Sequence, residues 1–191
     1  MSDIIFTEEQ KKIIVQIARE SGEAEIKRSQ QKNYSQLGKD HKLDFIPGGV
    51  FVTYKIKGKL RGCIGCFEPE KPFYSLIQQY AAHSINDRRF NRMTIEEFNK
   101  TTISVSCLSV PIDITNPLEN VIAGKHGIIV EYGWDRGTYL PNVATEQGWD
   151  TKTFCTHCAY YKAGIPKNID VLNDPKVKWQ TYTSTIVEEE N

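Results

Sequence analysis

Apolar and polar residues alternate along residues 49–56, and a second such stretch follows Gly58. A period of two is typical of a β-strand with one buried face. We therefore predict a hairpin over residues 50–66, with the polar segment 57–59 as its turn. A turn of odd length is favoured, because a half-buried sheet keeps its apolar side chains on one face. This register adds three residues of the second strand to the apolar face of the first: Leu60, Ile64 and Cys66.

Apolar residues spaced three and four positions apart predict helices on both sides of the hairpin. The first helix follows a capping box that Thr7 opens, and it is predicted to span residues 7–33 unless Ser21-Gly22 breaks it. A second amphipathic helix begins after Pro72, a residue that the first turn of a helix tolerates. A second capping box, opened by Thr94, predicts a short third helix.

Three later stretches also alternate and are predicted to be strands: residues 102–110, 126–132 and 177–187. Strands joined by hairpins, with helices at irregular intervals, are typical of an α+β fold with a mainly antiparallel sheet flanked by helices. The length predicts a single domain over residues 1–191, and the acidic residues at 188–191 are predicted to form a solvated tail.

The 191-residue chain has no net charge, so its composition gives no general attraction to nucleic acid or to a membrane surface. The N-terminal residues do not resemble a signal peptide, and no apolar run is long enough to span a membrane. Five cysteines, an odd number, favour reduced thiols. We expect an intracellular protein of the cytoplasm or the nucleus, and no cofactor motif is found.

The second strand of the hairpin carries an unusual combination of a guanidinium, a thiol and two glycines: Arg61, Gly62, Cys63 and Gly65. Arg61 and Cys63 are two residues apart and should share a face. One hypothesis is that Arg61 holds an anion and favours the thiolate form of Cys63. The alternative is that Cys63 is a buried packing residue and Arg61 pairs with a structural carboxylate.

A nucleophilic cysteine needs a base, and His126 is the best candidate because it opens a predicted strand. Four cysteines in two Cys-x-x-Cys pairs also suggest a zinc site: Cys63, Cys66, Cys155 and Cys158. Residues three apart on a strand face opposite ways, which argues against that site, and no metal is predicted. Two short basic stretches, residues 55–61 and 88–89, are more simply solvated surface than a nucleic-acid interface.

The motifs together resemble the AMMECR domain family. The resemblance rests on Leu-Arg-Gly-Cys-Ile-Gly at 60–65, on Asp87, Arg89 and Phe90, on the Gly-Lys-His-Gly-Ile segment at 124–128, and on Tyr-Leu-Pro at 139–141. The His-Gly-Ile and Thr-Tyr-Leu-Pro versions are similar to eukaryotic members. The resemblance implies an α+β fold with a larger and a smaller lobe, and no established activity.

The matching positions give the residues of a candidate site: Arg61, Gly62, Cys63, Gly65, Asp87, Arg89 and His126. The sequence predicts a binding or adaptor domain that uses the Arg61–Gly65 surface for a protein, a peptide or a small anionic ligand. The alternative is a cysteine-dependent enzyme with Cys63 as its nucleophile and His126 as its base. Family association also suggests Memo-type or radical-SAM proteins as partners.

Overall fold

A computed structural model describes residues 3–190 of the chain. Three residues lie outside the described range: Met1 and Ser2 at the N-terminus, and Asn191 at the end of the predicted tail. The chain divides into a larger unit, residues 4–108 with 185–190, and a smaller unit, Ser109–Ser184 with Asp3. Helices and antiparallel strands build the molecule, so the predicted α+β fold with two lobes of unequal size is confirmed.

The larger unit is a sheet with helices on one face. In chain order its elements are α1 (Glu8–Lys27), α2 (Ser35–Asp40), β1 (Gly49–Ile56), β2 (Lys59–Phe67), α3 (Phe73–Ile85), α4 (Ile95–Phe98) and β3 (Thr101–Leu108). β1 pairs with β2 and with β3, antiparallel in both cases. Alternate residues of β1 and β3 join α1 and α3 in one core, as the alternation predicts: Val50, Val52, Tyr54, Ile103, Val105 and Cys107.

The first helix is shorter than predicted. The prediction of a helix to residue 33 is wrong, because Arg28 adopts a left-handed conformation (φ 52°) and its N–H bonds back to carbonyls of the last turn. Gly22 does not break the helix. A Cβ at this position would lie 2.3 Å from the hydroxyl oxygen of Tyr54, so the glycine lets α1 approach the sheet closely.

The hairpin turn also differs from the prediction. Only two residues, Lys57 and Gly58, form it, both with positive φ, so the predicted odd-length turn is wrong. Arg61 is an extra residue opposite β1, and this β-bulge restores the expected face for the residues beyond it. Ile64 therefore lies opposite Val52 and Cys66 opposite Val50, as predicted. Leu60 instead lies opposite Lys55 and is exposed.

The smaller unit contains β4 (Ile112–Ile114), α5 (Pro117–Asn120), β5 (His126–Tyr132), β6 (Asp135–Tyr139), α6 (Pro141–Gln147), α7 (Thr151–His157) and a π-helix (Cys158–Ala163). The last strand, β7 (Lys178–Glu188), enters this sheet with its residues up to Ser184. There β7 pairs with β4 and with β5, and β5 pairs with β6, all antiparallel. The core of the unit includes Phe154, Cys155, Cys158 and Trp179.

The predicted solvated tail is wrong at Glu189. Its carboxylate forms an ion pair with the guanidinium of Arg19, which donates from Nε to Oε1 over 3.0 Å. The backbone N–H of Glu189 also donates to the carbonyl of Ile103 over 2.9 Å. The acidic segment is held in place because β7 ends beside α1, where Arg19 pairs with Glu189.

Candidate functional site

The Arg61–Gly65 segment lies on β2, which has β1 as its only strand partner within residues 3–190. The larger unit brings six of the predicted site residues together. Four are on β2, and the other two, Asp87 and Arg89, follow the end of α3. His126 belongs to the smaller unit, where it is the first residue of β5.

Arg61 is committed to internal contacts. Its Nη2 and Nε donate to the two carboxylate oxygens of Glu97 over 2.7 and 3.0 Å, and Nη2 also donates to the carbonyl of Asn91 over 3.0 Å. The side chain is only 13% exposed, and the hydrogen bond from Arg61 lowers the pKa of Glu97. The contacts match the alternative in which Arg61 neutralises a structural carboxylate, since an incoming anion would have to displace Glu97.

The backbone of Cys63 is held by two side chains. Its N–H donates to Oδ2 of Asp87 over 2.9 Å, and Nη2 of Arg89 donates to its carbonyl over 3.0 Å. The same Nη2 bonds to Oδ2 of Asp87 over 2.7 Å. Asp87 is buried, and the hydrogen bond from Arg89, together with that from the Cys63 N–H, lowers its pKa to about 2. The pair thus occupies the edge of β2 at the place where another strand would bond.

The two glycines allow close approaches. A Cβ on Gly62 would lie 2.3 Å from the carbonyl oxygen of Ser84, and a Cβ on Gly65 would lie 2.1 Å from that of Val50. The Ser84 hydroxyl accepts from the N–H of Ile64 and donates to the carbonyl of Val52, both over 2.9 Å. This hydroxyl therefore bridges β1 and β2, and only glycine at position 62 lets α3 come near enough.

The thiol of Cys63 lies on the face of the sheet opposite the core. The Thr53 hydroxyl donates to its Sγ over 3.1 Å, and both residues are half-buried. Thr53 is the cross-strand neighbour of Cys63 on one side and of Ser104 on the other. We name this surface the Cys63 face; its residues are Phe51, Thr53, Lys55, Cys63, Gly65, Thr102, Ser104 and Ser106. It presents hydroxyls, a thiol and one ammonium group.

Several of these residues were not identified as site residues from the sequence. Thr53 and Lys55 were already on the polar face of the predicted strand, so alternation alone could have nominated them. Ser104 and Ser106 follow from the same rule once β3 is known to pair with β1. The roles of Ser84 and Glu97 had no local signal, because each depends on a contact between distant segments.

His126 has a local role in the smaller unit. Its Nδ1 accepts from the N–H of Ile122 over 3.2 Å. Burial lowers the pKa of His126, which favours the neutral form of the ring. Its part in a site with Cys63 stays a prediction.

All five cysteines are free thiols. Within residues 3–190 there is no group of three or more His, Cys, Asp and Glu side chains arranged to hold a metal ion. Cys155 and Cys158 are buried in the core of the smaller unit, and burial raises the pKa of each, that of Cys155 to about 12. Over the same described range, no helix combines the length and apolar character needed to cross a membrane.

Comparison with known proteins gives consistent matches. The model of the AMMECR1 family matches residues 15–187. A protein of Methanothermobacter thermautotrophicus is 39% identical over 149 residues, which is 74% of this chain and 76% of that one. A protein of Nanoarchaeum equitans is 34% identical over 172 residues, or 82% and 93% of the two chains. The crystal structure of an uncharacterised protein from Pyrococcus horikoshii superposes with a TM-score of 0.79 at 32% identity, covering 97% of this chain and 94% of that chain.

Proposed function

The chain belongs to the AMMECR1 family, and from that premise we propose that it is a binding domain that holds a small anionic ligand on the Cys63 face. The observation that carries this proposal is Lys55. Its side chain is half-buried on this face and forms no ion pair with any residue of the described chain, 3–190. A cation without an ion-pair partner, set among hydroxyl groups, favours an anion over a neutral ligand.

The Arg61–Gly65 segment gives this surface a backbone that other side chains hold in place. Asp87 and Arg89 hold the backbone of Cys63 from the edge, and Ser84 holds that of Ile64. A ligand would therefore bind to a strand that is already held in position, which reduces the entropy lost on binding. Arg61 contributes through its ion pair with Glu97, and Lys55 supplies the charge that meets the ligand.

The experiment uses two matched variants of the hairpin. Lys55→Met and Lys59→Met each remove one positive charge, but Lys59 is exposed beside the turn. Inorganic phosphate and citrate are titrated into the ¹⁵N-labelled chain, and amide chemical shifts are followed by NMR. We expect saturable shifts centred on Thr53, Cys63 and Ser104. The affinity obtained from these shifts should fall about tenfold in Lys55→Met, because a charged hydrogen bond is lost. It should be unchanged in Lys59→Met.

Equal weakening in the two variants would indicate general attraction to a basic hairpin and would refute a site on the Cys63 face. Saturable shifts that leave Thr53 and Ser104 unmoved would refute it as well. Thermal unfolding of both variants serves as the control for folding, since neither lysine is part of the core.

A second candidate function is a cysteine-dependent enzyme with Cys63 as the nucleophile, with His126 proposed as its base. The observation in its favour is the hydroxyl of Thr53, which donates to Sγ and would stabilise a thiolate there. The pH dependence of Cys63 alkylation by iodoacetamide tests it. Fast labelling well below pH 8 that is slowed in Thr53→Val would favour the enzyme; labelling with the profile of an ordinary thiol would count against it.

A further inference from the structure

A groove runs between the edge of β2 and helix α3. Two depressions follow each other along it, of about 520 and 400 Å³. The first is bordered by Ile64 and His83, and the second by Cys66 and Tyr80. The rings of Tyr80 and His83 are in contact, with centroids 5.7 Å apart, so the two depressions share one wall on successive turns of α3. We call this surface the β2–α3 groove.

The strand edge beside the groove offers backbone hydrogen bonds. The N–H and C=O of Cys63 bond to Asp87 and Arg89, which shows that these groups point away from β1. Successive residues of an antiparallel strand direct their N–H and C=O groups to opposite sides. Gly65 is two residues after Cys63, so its groups point the same way as those of Cys63. Pairing of an extended segment with such an edge is an established mode of peptide recognition.

The pairing would have to stop at Cys63. Asp87 and Arg89 already occupy the hydrogen-bonding positions there, and Asp87 is buried. An extended segment that runs along β2 towards Arg89 therefore meets a closed end. A chain that must stop at this point presents a terminus, so the groove fits the end of a polypeptide better than an internal segment.

The charge at the closed end selects which terminus it is. His83, Arg88 and Arg89 surround the first depression and are exposed, and Arg88 forms no ion pair within the chain described, residues 3–190. The opposite end of the groove carries charges of both signs, from Glu68, Glu70 and Lys71. A negative group is therefore favoured at the Arg88 end.

From these observations we propose that the β2–α3 groove binds the C-terminal segment of a partner protein, with the terminal carboxylate beside Arg88 and Arg89. The segment lies antiparallel to β2, because its C-terminus points towards Cys63. The stretch of β2 from Cys63 to Phe67 spans about 13 Å, which accommodates about four extended residues. Its side chains alternate between α3 and solvent, so the terminal residue and the one two positions before it carry most of the specificity.

The test uses peptides whose C-termini are free. An array of heptapeptides with the last four positions randomised is screened against the full chain, and the strongest binders are measured by fluorescence anisotropy. We expect amidation of the C-terminus, or the variant Arg88→Gln, to weaken binding about tenfold or more, since each removes one side of a charged contact. Lys39→Gln removes an exposed positive charge from α2 and should leave the affinity unchanged.

Three results would overturn the proposal. The first is an array without binders, and the second is equal binding of amidated and free peptides, which would indicate side-chain carboxylates. The third is loss of peptide binding in Lys55→Met, because that residue belongs to the Cys63 face and not to the groove. Since Lys55→Met tests the Cys63 face and Arg88→Gln tests the groove, failure of one proposal leaves the other standing.

Discussion

The backbone N–H of Cys63 donates a hydrogen bond of 2.9 Å to Oδ2 of Asp87. The acceptor is a buried carboxylate, and Arg89 bonds both to that carboxylate and to the carbonyl of Cys63. One residue of an edge strand thus has its donor and its acceptor satisfied by a single ion pair. The edge strand is stabilised at this point by charge, so its stability should depend on pH.

Asp87→Asn should lower the free energy of unfolding by about 1–3 kcal/mol at pH 7, because a hydrogen-bonded charged partner is lost. The contribution of Asp87 also has a predictable pH dependence. Its pKa falls from 3.8 to about 2 on folding. A lowered pKa stabilises the folded state fully above the unfolded value and loses this effect as the pH falls towards 2.

Urea unfolding of wild type and Asp87→Asn at several pH values measures this effect. The difference between the two proteins should be constant above about pH 5 and should shrink between pH 4 and pH 2. Asp44→Asn, an exposed aspartate of the same unit, is the control and should show a small difference. A difference for Asp87 that stays unchanged down to pH 2 would contradict the ion pair.

Arg61 should contribute to stability through Glu97. A double-mutant cycle with Arg61→Met and Glu97→Gln should give a coupling energy of about 1 kcal/mol, because the arginine is largely shielded from water and bonds to both carboxylate oxygens. Urea unfolding of the four proteins provides the value. A coupling near zero, together with loss of phosphate binding in Arg61→Met, would instead make Arg61 the anion clamp.

Gly62→Ala should destabilise the larger unit by about 3 kcal/mol, because the added methyl meets the backbone of α3 and one of the two must move. Gly58→Ala is the matched comparison. A Cβ at Gly58 has open space around it, and only the positive φ of 75° opposes it, at a cost of about 1 kcal/mol. Equal effects in urea unfolding would mean that α3 shifts freely and that position 62 does not require glycine.

The parts of the structure that follow from neighbouring residues were predictable from the sequence. Alternation placed Val50 and Val52 on the buried face of β1, and the capping boxes opened by Thr7 and Thr94 begin α1 and α4. Helix α2 was missed. Gly38 lies under the ring of Tyr74, so this short helix depends on packing against α3 and not on its own residues.

The candidate site was predictable in its residues and not in their contacts. The Arg61–Gly65 segment could be located, yet the two-residue turn and the bulge at Arg61 change its register together. The carboxylate that pairs with Arg61 also belongs to the capping box at Thr94, and sequence offers no sign of this second role. Asp87 and Arg89 reach Cys63 across the whole of α3, and such distances between segments depend on packing.

The five thiols should fall into two classes of reactivity in the native protein. Cys63 and Cys66 are half-buried at the edge strand, while Cys107, Cys155 and Cys158 are buried, and burial raises the pKa of all three buried thiols. Only the thiolate is alkylated, so iodoacetamide at pH 8 should label the first two and spare the others until urea unfolds the chain. Mass spectrometry of the digested protein reads each site. Labelling of Cys155 or Cys158 in the native state would contradict their buried position.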